Sequence, residues 1–176
     1  MQRLGVLDQE ETSIRVLYNS DAGHTESQII SLYEHGITAS VYEDVFVYVE
    51  HDGDNPGVKE KSGLEFSDKV KLLQNALKDN PGSWRIKEAI ESFDHDILHQ
   101  LAERGADVVH ASRVKYLLGE DAKYSEFNTP ENLLYLASNN LEVDVFLRAA
   151  DAGFSVDEIK LYPFLASDLL IKERNE

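Results

Sequence analysis

The sequence predicts an α+β domain, or an irregular α/β one, with a small N-terminal sheet covered by a mostly helical C-terminal two-thirds. Three observations lead there. Val45-Phe46-Val47-Tyr48-Val49 is apolar at every position, the pattern of a central strand buried on both faces. From Ser67 onward, apolar residues recur at three- and four-residue steps. Glycines, prolines and capping residues punctuate that pattern at helical lengths.

In chain order, the first elements are a hairpin and a βα(β) unit. Arg3 to Leu7 and Ser13 to Tyr18 read as strands joined by the acidic loop Asp8-Gln9-Glu10-Glu11-Thr12, with Ile14, Val16 and Tyr18 alternating with Arg15 and Leu17. A polar loop, Asn19 to His24, leads into a helix from Thr25 to His35. Thr25 and Gln28 are spaced as a capping box, Gly36 is placed to end the helix, and Ile29, Ile30, Leu32 and Tyr33 supply its buried side. Strand resumes from Ile37 to Glu50, broken or bulged near Glu43-Asp44. His51 to Phe66, with Gly53, Pro56, Gly57 and Gly63, reads as the longest loop.

The helical part opens at Ser67, a cap for a helix with Val70, Leu73 and Leu77 on one stripe, stopped by Asp79-Asn80-Pro81-Gly82. Ser83 to Arg104 carries the strongest periodicity: Ile86, Ile90, Phe93, Ile97 and Leu101, with Gly105 as the stop. Asp107 caps Val108 to Leu118, Thr129-Pro130 opens a helix through Ala137, and Leu141 to Ala152 ends at Gly153. Ser155 and Glu158 form a second capping box, and Pro163 opens a last helix with Leu165, Leu169 and Leu170 inward. No linker rich in Gly, Ser or Pro interrupts the chain. Residues 1–176 are therefore expected to form one domain, mixed and acidic over 1–60 and helical over 67–176.

Charge is the dominant compositional signal. The 176 residues hold 17 basic and 33 acidic side chains, a net of −16, of which −9 falls in residues 1–60. Such a field repels nucleic acid, whose binding needs lysines and arginines to neutralise phosphates, and it attracts basic proteins. With no cysteine, disulfides, thiolate metal sites and cysteine nucleophiles are excluded. The N-terminus lacks a charged segment followed by a long apolar one, and no apolar run is long enough to span a bilayer, so a cytoplasmic protein is expected.

Four stretches carry chemical motifs. Ser20-Asp21-Ala22-Gly23-His24-Thr25, between an expected strand and a helix start, resembles the phosphate loop of flavodoxins. That resemblance implies flavin or phosphate bound by Ser20, Gly23 and Thr25, although Ala22 replaces a hydroxyl and Asp21 adds a negative charge. Asp52-Gly53-Asp54-Asn55-Pro56-Gly57 opens like a calcium loop, but Pro56 and Gly63 stand at two ligand positions, so an acidic turn is expected. His95 and His99 have metal-ligand spacing, and His95-Asp96 resembles the pair of metal-dependent phosphohydrolases. On one continuous helix they would form a solvent-facing ladder with Glu88 and Glu91. Leu98-x3-Ala102-x2-Gly105-x2-Val108 echoes Phe146-x3-Ala150-x2-Gly153-x2-Val156. These phrases resemble fragments of ankyrin repeats without the 33-residue period, and stacked helical hairpins are the expectation.

No catalytic residue, metal ligand or cofactor is assigned, since the sequence has no Gly-x-Ser-x-Gly and no supported Ser/His/Asp order. The expected function is a non-enzymatic acidic protein that inhibits or neutralises a basic, nucleic-acid-handling protein, in the manner of immunity proteins, antitoxins and phage inhibitors. Its expected binding residues are Asp8, Glu10 and Glu11 on the first loop and Glu43, Asp44, Glu50, Asp52 and Asp54 around the second. The alternative is a flavodoxin-like binder of flavin or phosphate.

Overall fold

In the computed structural model, the α+β class holds. The structure describes residues 2–61, 63–79 and 81–161, with side chains from residue 9 to 160. Among the described residues most of the chain is helical, and the β-structure is one two-stranded antiparallel sheet. The chain divides into two compact units, residues 1–109 and 110–176. No helix among the described residues is long and apolar enough to cross a membrane.

The first unit opens on α1 (Gln2–Asn19), where a strand hairpin was expected. The acidic stretch has no glycine or proline to turn on, and its Gln and Glu residues are good helix formers. Ser13 and Leu17, four apart, are buried against the rest of the unit, and Arg15 pairs with Glu11 at 2.6 Å. The β-branched Ile14 and Val16 mimicked strand alternation inside this helix. α2 (Glu26–Glu34) begins at Thr25 as expected, with both halves of the capping box formed. It buries Ile29 and Leu32, whereas Ile30 and Tyr33 face solvent.

α3 (Ala39–Phe46) overturns the expected long strand. Thr38 caps it, and Ala39, Tyr42, Val45 and Phe46 are buried at helical spacing. The five-residue apolar run is therefore split: Val45 and Phe46 end this core helix, and Val47 begins β1 (Val47–Asp52). The stretch read as a long loop contains β2 (Asn55–Glu60). The βα(β) unit is thus replaced by three helices and a hairpin.

α4 (Phe66–Leu77) is the helix expected here, but Ser67 lies inside it and does not cap it: the N-cap is Glu65, which makes no side-chain cap bond, and the buried side is Val70, Leu72, Leu73 and Ala76 with Leu77 half-buried. The single helix expected over residues 83–104 is two, α5 (Ser83–Glu91) and α6 (His95–Glu103). Asp94 starts the second by accepting the Ile97 amide at 2.9 Å. Apolar spacing continues through the break, so periodicity alone does not reveal it. α3 packs on α1, α2 and α5, and α4 packs on α6.

α7 (Val108–Glu120) follows, and the second unit continues with a 3-10 helix (Ala122–Phe127), α8 (Pro130–Ser138), α9 (Val143–Asp151) and α10 (Val156–Leu161). Thr129 caps α8 with Pro130 at its first position, and Ser155 and Glu158 close the second capping box. Phe127 stacks edge-on against Phe146 at 5.7 Å, and Lys123 and Tyr124 both hold Asp151. The expected helix from Pro163, with Leu165, Leu169 and Leu170, lies outside the described residues.

One turn recurs. At Gly36, Gly105, Asn140 and Gly153 the backbone takes a positive φ. The next residue's amide bonds back five residues: Ile37 to Leu32, Ala106 to Leu101, Leu141 to Leu136 and Phe154 to Ala149, at 2.8–3.1 Å. The next helix follows each time, capped by the Thr38, Asp107 and Ser155 side chains in three of the four, while Glu142 makes no side-chain cap bond. Only two of these four turns show in the sequence echo, because Asn140 replaces glycine in one and Gly36 precedes an expected strand. Unequal intervals between the turns rule out a regular ankyrin period. Asn140 carries the left-handed strain that glycine avoids. Asn140→Gly should raise stability by about 0.5 kcal/mol and Asn140→Ala lower it by about 1 kcal/mol, measured by thermal denaturation.

Candidate functional site

The hairpin β1–β2 turns on two residues, Gly53 and Asp54, with Asp52 paired to Asn55. Gly53 has φ +61° and Asp54 does not share it, the combination of a type II′ turn that matches strand twist. The ladder runs through Glu50–Gly57 and Tyr48–Lys59 to Val47–Glu60, and the Lys61 amide bonds the Phe46 carbonyl at 2.9 Å just beyond. Pairs that exchange hydrogen bonds alternate with pairs that do not. A two-residue loop closes on a bonded pair, so Pro56, across from His51, falls in a non-bonded pair and costs the ladder nothing. Residues 48–56 are all exposed, including Tyr48 (47%) and Val49 (57%). Tyr48, Glu50 and Asp52 share one face, and Glu50 faces a glycine across the ladder.

The base of the hairpin is fastened by an ionic cluster. Glu60, the last residue of β2, is buried with three donors around it. His24 Nε2 lies 2.6 Å from one carboxylate oxygen, Lys69 Nζ lies 2.6 Å from the other, and the Tyr42 hydroxyl donates to that second oxygen. Because an ionised carboxylate only accepts, Nε2 carries the imidazole proton. Tyr42, Phe46, Phe66 and the His24 ring pack at 5.2–5.9 Å, and the Lys69 ammonium sits over Phe46. Burial pushes the Glu60 carboxyl up, but the hydrogen bonds from His24, Lys69 and Tyr42 outweigh it and hold the pKa at about 2. Burial, followed by the Glu60 charge and hydrogen bond, pushes the Tyr42 phenol far up. A carboxylate this acidic is a poor proton acceptor at neutral pH, and a phenol this weak stays neutral. The cluster fastens the base of the hairpin to α3, to α4 and to the segment that leads into α2.

Beside it lies an open pocket of about 380 Å³ lined by Asp21, Tyr48, Glu50, Lys59, Lys61 and Lys69 among others. Lys59 is tied to Asp21 at 2.6 Å and Lys69 to Glu60. Lys61 reaches the Ile90 carbonyl at 3.4 Å, and burial lowers its pKa. The three lysines therefore serve the hairpin's seat.

The expected binding residues are distributed unevenly. Glu50, Asp52 and Asp54 come together on the exposed hairpin. The Asp8 side chain lies outside the described ones, and Glu11 is exposed on α1. Glu10 uses its carboxylate inside the protein, accepting from the Tyr33 hydroxyl and, at 2.9 Å, from the Ala39 amide, so it joins α1 to α2 and α3. Glu43 is half-buried on α3, and Asp44 accepts from Ser83 at 3.0 Å.

The flavodoxin-type loop is not formed, because a helix precedes it and no strand supports it. Ser20 is buried and donates to the Leu17 carbonyl, Gly23 turns the chain, Thr25 caps α2, and His24 points down to Glu60. The residues read as a calcium loop make the hairpin turn. Glu88, Glu91, His95 and His99 are all exposed as expected, but the break between α5 and α6 interrupts the ladder, and His99 Nδ1 meets the buried Asp68 at 2.7 Å, a hydrogen bond that raises its pKa. Asp68, His99 and Glu103 place one ligand atom each within 4.8 Å of one another, a geometry that could hold a metal ion. As they stand, His99 satisfies Asp68 and Lys71 satisfies Glu103.

His24, Tyr42, Glu60 and Lys69 were not anticipated as a group, yet two left a signal. Lys69 shares the spacing of Leu72, Leu73 and Ala76, placing a cation on the apolar stripe of α4. His24 immediately precedes the Thr25 cap, where a residue commonly folds back onto the first turn. Compared with protein-family models, with curated proteins and with solved structures, the chain matches none.

Proposed function

We propose that this chain is a non-enzymatic binding protein that engages a basic, nucleic-acid-handling protein and neutralises it through its acidic hairpin. The observation that carries this reading is the placement of Glu50, Asp52 and Asp54 on one exposed hairpin whose base is locked by Glu60. Lys59, on the same face, is occupied by Asp21, so the hairpin carboxylates keep an outward field. Residues 1–60, the hairpin carboxylates included, carry a net charge of −9, which gives long-range attraction for a cationic surface. A fixed row of carboxylates competes for the lysines and arginines that otherwise contact phosphates.

Capture from a host lysate at low and high salt, with the bound proteins identified by mass spectrometry, supplies the partner. The triple variant Glu50→Lys/Asp52→Lys/Asp54→Lys should then slow association with it by about 10–100-fold and flatten its salt dependence. Glu11→Lys on α1 serves as the control. Kinetics unchanged in the triple variant would overturn the assignment.

A further inference from the structure

We infer that the outer edge of β1 is a strand-addition site that takes an extended segment of the basic partner, with lysine or arginine at alternate positions. The inference rests on the proposed function above and specifies how the partner is held.

The hydrogen-bond phase of the hairpin singles out this edge. Asp52–Asn55, Glu50–Gly57 and Tyr48–Lys59 point their amides and carbonyls at each other, so Val49 and His51 point theirs away from β2. Neither residue's backbone has another hydrogen-bond partner among the described residues. The opposite edge is less receptive, since Pro56 has no amide to offer there and Glu60 is buried. Along β1, five consecutive residues, 48–52, are exposed.

Side chains select the occupant. A strand bonded to Val49 and His51 would set its own residues directly beside Glu50 and Asp52, in the pairs where side chains approach most closely. Basic residues at those two positions, separated by one residue facing the Val49 side, match the pattern. A second copy of this chain would instead bring the same acidic edge against it, and like charges directly opposite are destabilising. Edge pairing gives affinity through the main chain and selectivity through alternate side chains, so it suits a partner that offers a flexible basic segment.

The probe is an acetylated, amidated seven-residue peptide alternating lysine and valine, titrated into the intact protein at low salt by calorimetry and by amide-resolved NMR. Binding with slowed hydrogen exchange at Val49 and His51 is expected. N-methylation of the peptide amides that would face β1 should weaken binding at least tenfold. Val49→Pro, which removes an outward amide without breaking the ladder, should do the same. If the N-methylated peptide binds wild-type protein as tightly as its parent, strand addition is overturned. If in that case Glu50→Lys/Asp52→Lys still abolishes binding, the acidic-hairpin reading survives alone. If neither change matters, both readings fall.

Discussion

Glu60→Leu is expected to destabilise the first unit by about 3–5 kcal/mol, because it leaves the Lys69 ammonium buried without its counter-charge. For a protein of this length that is a fall of roughly 10 °C in melting temperature. The His24 and Tyr42 donors lose their acceptor in the same step. The double variant Glu60→Leu/Lys69→Met removes the stranded charge and should recover more than half of the loss, since apolar replacement of a buried ion pair is often neutral. Urea unfolding of the three proteins measures both effects. A single-variant cost below about 1 kcal/mol would show that the ammonium escapes to water.

The second large effect is acid destabilisation. The Glu60 pKa falls from an ordinary 4.5 to about 2 in the folded protein, so the unfolded chain takes up this proton first. The stabilisation is complete above pH 4.5 and is lost as pH drops toward 2, an amount on the order of 3 kcal/mol. Glu103, Asp151 and Glu158 are lowered as well and act in the same direction. His99 acts in the opposite sense: its raised pKa adds stability at low pH that is lost as pH rises through that value. Unfolding free energy measured between pH 5 and 2 should therefore fall steeply in the wild type. The slope should flatten in Glu60→Leu/Lys69→Met, and equal slopes would remove Glu60 from the account.

What the sequence disclosed about this fold follows the reach of each interaction. Helix starts and stops depend on residues within one turn, so Thr25, Thr129-Pro130 and Ser155 could be read directly, as could the stop at Gly105. Strand and helix could not be told apart where short apolar runs fit both periods. Ser13 to Tyr18 and Val45 to Val49 are those places: Leu17, Val45 and Phe46 are buried on helices, while Val47 to Val49 leave the core as the first strand of the hairpin. Gly53-Asp54 is a recognised two-residue hairpin signal, but it lies inside Asp52-Gly53-Asp54-Asn55, which also opens like a calcium loop. That Glu50, Asp52 and Asp54 are exposed could be read from the polar, acidic stretch that holds them. The Glu60 cluster gathers residues as far apart as 24 and 69, and only the fold brings them together.

The recurrent turn at Gly36, Gly105, Asn140 and Gly153 bears on how such a chain can diverge. Its backbone bonds all close within six residues, so each turn is complete without help from its neighbours. Segments of any length can then be gained or lost between two turns without unmaking either one. The hairpin lies in the interval between the turns at Gly36 and Gly105, together with α3, α4, α5 and α6. An acidic projection can therefore occupy that interval while the backbone bonds of both flanking turns stay as they are. Glu60 is the residue that ties the projection to the helices at its base, through His24, Tyr42 and Lys69.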